Sequence, residues 1–180
     1  MNLTVLSLIS IGQALHSPLI TFNIGTRIRI NSCLFSKHFQ TILYEHNQSP
    51  GNDIYVLNSK FSQILNSPIY IRHDSDFSIS KSPLKFIDNL KHTIKATIFT
   101  ECKGFKGGCI YSKSPNLQIS HCIFNNNTAN YGTAVYATNI VNGKCSYSLF
   151  SSNYANNLCA GYFLDSDPQT KHTLLIEYTN

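Results

Sequence analysis

Apolar and polar residues alternate in short runs along this chain. Ile28 and Ile30 interleave with Arg27 and Arg29, and the same two-residue period runs through Gln118-Ile119-Ser120 and Thr133-Ala134-Val135-Tyr136. That period places one set of side chains on each face of a β-strand. Gly, Asn and Pro interrupt the pattern too often for a ten-residue helix, so the expected elements are short strands joined by polar turns.

The strands repeat. Three segments align without a gap on Phe99, Phe124 and Phe150, which are 25 and 26 residues apart. Two positions before the Phe stand Thr97, Cys122 and Ser148, and five before it Ile94, Ile119 and Cys145. Five after it come Gly104, Ala129 and Ala155, ten after it Cys109, Ala134 and Ala160, and twelve after it Tyr111, Tyr136 and Tyr162. Small and large residues at fixed places are what stacked layers need. Phe35 and Phe61, 26 apart, begin two earlier copies, with Ile30 and Val56 before them and Tyr44 and Tyr70 nine residues after. The 38 residues from Phe61 to Phe99 read as one rung with an insertion, paired through Phe77 to Ile79.

A period of this length built from strands is a solenoid. The expectation is an all-β, right-handed parallel β-helix of about five or six coils, stacked at roughly 4.8 Å. It forms one domain over residues 15–180, with regular coils at about 94–165 and less regular ones at 24–93. Phe35, Phe61, Phe99, Phe124 and Phe150 fill the coils. Asn127 and Asn153, three residues after a Phe, turn the chain, bond neighbouring backbone and tolerate left-handed dihedrals. Gly107 and Gly132 suit corners where a Cβ would clash, and Gly108 is a further structural position of the repeat.

Composition narrows the setting. Of 180 residues, 42% are hydrophobic and 13% charged, which excludes disorder, collagen and coiled coil. The net charge of +5 is scattered singly. Its densest cluster, Arg27-Ile28-Arg29, reads as a solvated strand face, so no nucleic-acid partner is expected. Residues 3 to 11 are an apolar run followed by Gly12-Gln13-Ala14, the pattern of a secretory signal spanning 1–14 and cut after Ala14. The run is too short to cross a bilayer. Six cysteines invite a disulfide reading in an exported chain. No two occupy the same column in adjacent coils, so buried free thiols are expected, with a Cys102 to Cys109 bridge inside one coil as the alternative.

At Gly107-Gly108-Cys109-Ile110 and Phe124-Asn125-Asn126-Asn127, echoed by Phe150-Ser151-Ser152-Asn153, the sequence resembles the polymorphic outer membrane protein repeat, whose signatures are GGA plus an aliphatic residue, and FxxN. It is also similar to the right-handed β-helix (pectin lyase-like) surface proteins of protist parasites. The match covers residues 94 to 165. Cys109 stands for the family alanine, the second copy reads Gly132-Thr133-Ala134-Val135, and Leu158 stands where the third glycine belongs. The resemblance implies export to the cell surface or outside the cell, and a role as adhesin or antigen.

No chemistry-bearing constellation competes with that expectation. Asp74/Asp76 and Asp165/Asp167 are the only close carboxylate pairs, and neither recurs in a neighbouring coil as acid–base work on a polysaccharide requires. Glu45-His46 and the isolated His16, His38, His73, His92 and His172 lack metal spacing, and His121 beside Cys122 points to the opposite strand face. No catalytic residue, metal or cofactor is expected. Asn47-Gln48-Ser49 and Asn126-Asn127-Thr128 fit the N-glycosylation pattern, making Asn47 and Asn126 acceptor candidates. The sequence therefore points to a non-enzymatic surface solenoid that binds a host surface protein or glycan, or associates with itself through its ends. The alternative is a degenerate or active polysaccharide-processing β-helix.

Overall fold

A computed structural model of the protein describes residues 2–12, 17–22, 26–45, 53–71, 92–113, 116–138, 140, 142–165, 173–177 and 179. It is a parallel β-solenoid with a period of ~26 residues, in which seven strands stack in the first sheet. The first coil holds β1 (Asn2–Leu6), β2 (Ile9–Ile11) and β3 (Ile20–Phe22), the second β4 (Arg27–Asn31), β5 (Leu34–Ser36) and β6 (Leu43–Glu45), and the third β7 (Asp53–Leu57), β8 (Lys60–Ser62) and β9 (Ile69–Ile71). Later coils gain a strand. β10 (His92–Lys95), β11 (Ile98–Thr100), β12 (Lys103–Lys106) and β13 (Ile110–Ser112) form one. β14 (Asn116–Ser120), β15 (Ile123–Asn125), β16 (Thr128–Tyr131) and β17 (Val135–Thr138) form the next. β18 (Asn142–Ser146), β19 (Leu149–Ser151), β20 (Tyr154–Leu158) and β21 (Tyr162–Asp165) follow, and β22 (Thr173–Glu177) starts another turn.

Each strand pairs in parallel with its counterpart one turn on. This gives a first sheet β1-β4-β7-β10-β14-β18-β22, a second β2-β5-β8-β11-β15-β19, a third β12-β16-β20 and a fourth β3-β6-β9-β13-β17-β21. Alternation sets the faces. Ile28, Ile30, Ile54, Val56, Ile94, Leu117 and Ile119 on the first sheet are fully buried, while Arg27 and Arg29 point outward. The second sheet aligns Phe35, Phe61, Phe99, Phe124 and Phe150 in one stack, with ring centroids 5.1, 5.2, 5.1 and 4.9 Å apart. Ser10 takes the Phe position in the first coil.

The corners explain how short strands hold a closed turn. Three residues before the Phe position stand Ser7, Ser32, Asn58, Ala96, His121 and Tyr147, and two after it Gly12, Lys37, Gln63, Glu101, Asn126 and Ser152, all with φ between 47° and 69°. In that left-handed conformation, which costs roughly 1–2 kcal/mol for a residue with a Cβ, their amides still reach the next coil. Ala96 N–H donates to the Ser120 carbonyl at 3.0 Å, and Asn126 N–H to that of Ser151 at 3.0 Å. The left-handed residue is thus Asn126, one place before the asparagine expected to adopt it.

Asn127 is wholly buried and does the bonding instead. Its Oδ1 accepts from Cys102 N–H at 2.9 Å, and its Nδ2 donates to the Phe99 carbonyl at 3.2 Å and to Asn153 Oδ1 at 2.9 Å. Asn153 Oδ1 also accepts from Asn127 N–H at 3.1 Å, and its Nδ2 donates to the Phe124 carbonyl at 3.0 Å. The other inner corner carries Cys33, Ser59, Thr97, Cys122 and Ser148, where hydroxyls and thiols donate to the carbonyl two residues back.

Three expectations about register change. The tyrosines nine and twelve residues after the Phe are one column: Tyr44, Tyr70, Tyr111 and Tyr136 stack at 5.2, 4.3 and 5.7 Å. The third-sheet strand inserted into later coils adds the difference. The gapless alignment also fails in the third copy, because Ala129 pairs with Ala155 but Tyr131 with Leu158, a one-residue bulge in β20. Tyr162 therefore lies opposite Val135, and Phe163 opposite Tyr136. Cys159, with φ 48°, takes the corner held by Gly107 and Gly132.

β10 pairs directly with β7, so residues 72–91 sit between β9 and β10 as an insertion. The expected pairing of Phe77 to Ile79 lies outside the described residues, as does the Ala14 cleavage point. Residues 2–6 and 9–11, within the expected signal, form β1 and β2 in register with β4 and β5.

Candidate interaction surface

With the core taken by ladders, the surfaces left for contact are the outer sheet faces. On the second sheet the residue before each Phe points out, giving a column of Ile98 and Ile123, each 38% exposed, and Leu149, 42% exposed. Beside it the His121 and Tyr147 rings stack at 5.0 Å. Across the next corner the third sheet presents Phe105 and Tyr154, exposed by 65% and 62%. Phe105 meets Tyr131 edge-on at 5.9 Å, and Lys106 Nζ lies 4.9 Å from the Tyr136 ring centre. Aliphatic and aromatic groups thus share one flank of the regular coils. The sequence carried a signal for it, an aliphatic residue before each of these three phenylalanines.

The first sheet's outer face is polar and charged. Arg27 donates from Nε and Nη2 to Asp53 Oδ2 at 3.2 and 3.1 Å, and Lys144 pairs with Glu177 at 3.0 Å. Amides bridge neighbouring coils, Asn58 to Asn31 at 3.1 Å and Asn142 to Asn116 at 3.1 Å. Asn2, Leu3, Thr4, Arg27, Arg29, Tyr55 and Leu57 line a shallow concavity of about 530 Å³ at its start.

Of the residues weighed for chemistry, the described ones do not converge. Asp74, Asp76, Asp167, His16, His46, His73, His172 and the acceptor candidate Asn47 lie outside the described residues. Asp165 ends β21. His38 is buried with Nε2 3.1 Å from the Ser10 carbonyl oxygen, His92 is buried, and Glu101 accepts from Gln63 at 2.9 Å. Among the described residues no group of three His, Cys, Asp or Glu is placed to hold a metal. Asn126, the other acceptor candidate, is exposed at its corner. No described helix is long and apolar enough to cross a membrane.

None of the six cysteines is in a disulfide; five are buried and Cys159 is exposed. Burial pushes the Cys122 thiol up to about 12, against smaller opposing hydrogen bonds to Thr97 and Ser120, and raises Cys145 as well. Cys109 is held well above its ordinary value by burial and by a hydrogen bond with the thiol of Cys102. Because a reagent must reach the sulfur to react and burial denies it access, a chromogenic disulfide reagent at neutral pH should modify the exposed Cys159 within minutes and the five buried cysteines only after denaturant is added. The sign for stability follows. A thiol whose folded pKa is raised stabilises the fold fully below its ordinary value of 9.0, and for Cys122 that contribution is lost as pH climbs toward 12. Denaturation midpoints measured across that window should fall.

Set against known proteins, the chain matches no family model, no curated protein and no solved structure.

Proposed function

We propose that the chain is a non-enzymatic, secreted or cell-surface β-helix protein, right-handed and of the polymorphic outer membrane protein-like kind, acting in adhesion or as a displayed antigen. The observation that carries this reading is the flank of Ile98, Ile123, Leu149, Phe105, Tyr147 and Tyr154, all exposed on a scaffold of stacked coils. Contiguous exposed apolar groups rimmed by polar ones suit contact with another molecule. Aromatic rings beside amides suit a protein or glycan partner. The FxxN and Gly-Gly-aliphatic motifs support the kinship.

Antibody labelling of intact, unpermeabilised source cells tests the reading, with permeabilised cells as control. The expected result is labelling of intact cells. A signal seen only after permeabilisation would overturn display at the surface and make residues 1–14 a permanent part of the first coil.

A further inference from the structure

We propose that the concavity at the start of the first sheet binds one tetrahedral oxyanion, the phosphate or sulfate group of a small ester. The register builds a row of donors there. Thr4 pairs with Arg29 and Arg29 with Tyr55, so a hydroxyl, a guanidinium and a phenol stand side by side across three coils, at roughly 4.8 Å intervals. Two residues along the strands Asn2, Arg27 and Asp53 form a second row. All of these except Asp53 line the concavity.

Charge selects the ligand. Arg27 is held by Asp53 through two N–H groups on one carboxylate oxygen. Arg29 makes no ion pair or hydrogen bond to another described residue and points outward beside it. On the outward positions of the four strands β1, β4, β7 and β10 the basic groups of Arg27, Arg29 and Lys95 outnumber one carboxylate, that of Asp53, which pairs with Arg27. A cation is repelled, and a neutral ligand leaves the Arg29 fork unmatched. A tetrahedral oxyanion offers three acceptor oxygens, one for the fork, where charge-assisted bonds are strongest, and others for Thr4 and Tyr55. The half-buried Tyr55 ring and the Leu57 rim give the organic part of the ester an apolar contact. The site takes Asn2, Leu3 and Thr4 from β1, so it belongs to the chain that keeps residues 1–14.

The test is a titration of the full chain with phenyl phosphate and, separately, phenyl sulfate at constant ionic strength, following the arginine Nε–Hε signals by NMR. Saturation of the Arg29 signal by at least one ester is expected, and the tighter of the two identifies the natural group. Arg29→Gln should weaken binding about tenfold or more, the loss of a charge-assisted pair. Lys144→Gln, on the same sheet but outside the concavity, should stay within about twofold of the unaltered chain. The amide spectrum of each variant reports that it is folded. Shifts that rise linearly as with chloride for both esters, or an Arg29→Gln affinity within twofold of the parent, would overturn the proposal.

Discussion

Replacing Phe99 with alanine is expected to lower the free energy of unfolding by about 3–5 kcal/mol, the range for deleting a large buried aromatic side chain. Phe99 is fully buried and stacks on Phe61 at 5.2 Å and on Phe124 at 5.1 Å, with interplanar angles of 8° and 3°. Its removal forfeits the transfer energy of the ring, leaves a cavity between coils pinned by backbone ladders, and cuts the aromatic stack in two. A domain of this kind is stable by roughly 5–15 kcal/mol, so the loss is a large share. Phe150 touches one ring of the ladder and is only partly buried. Phe150→Ala should therefore cost less than half as much. A solenoid's stability is close to a sum over neighbouring coils. The break at Phe99 should thus also reduce the slope of the urea transition, as the two halves begin to unfold separately. Urea denaturation of both variants, followed by circular dichroism, measures this. Equal losses at Phe99 and Phe150 would show that the stack does not act as the continuous core.

What could be read from the sequence follows from how the solenoid repeats. The phenylalanine column was visible because one side chain recurs on every described coil from Phe35 onward, and parallel in-register stacking demands such identity. The tyrosine column was visible only in halves. β12, β16 and β20 lengthen the path between the second and fourth sheets, so equal places in space sit at unequal distances in sequence. The corners were hidden because the left-handed residues include Lys37, Gln63, Glu101, Ala96 and Tyr147, whose side chains do not advertise that conformation. They are held there by hydrogen bonds to the next coil, a tertiary cause that no local pattern records. The bulge in β20 was missed for a related reason. Tyr162 happens to fall at the expected distance from Phe150, although the extra residue moves it to the place beside Val135. The concavity around Arg29 read as an ordinary strand face, because the hydroxyl and phenol beside the guanidinium are about 25 residues away in sequence and meet it only through the register.

The glycine corner offers a way to separate conformation from crowding. Twelve described non-glycine residues already have positive φ, so that conformation alone does not demand glycine. At Gly12, with φ 69°, an added Cβ would meet nothing within 4 Å. Gly12→Ala should therefore cost only about 1 kcal/mol, the left-handed penalty itself. At Gly108 the cause is crowding, since a Cβ would come 2.5 Å from the Thr133 carbonyl oxygen and 2.9 Å from that of Thr128. Both are backbone atoms of the next coil, fixed by the ladders on either side, and no rotamer change can relieve the contact. Gly107 combines the two causes, with φ 65° and a Cβ that would overlap the carbonyl group of Ile110. In the third copy that corner is held by Cys159 after a strand that has gained a residue, which is how this chain places a Cβ there. Gly108→Ala and Gly107→Ala should each destabilise by about 3 kcal/mol or more, the size typical of overpacking a rigid site. Gly107→Ala should be the larger. Denaturant midpoints for the three variants give the comparison. A Gly108→Ala protein as stable as Gly12→Ala would mean that adjacent coils can part at this corner, and that the stack there is looser than its hydrogen bonds imply.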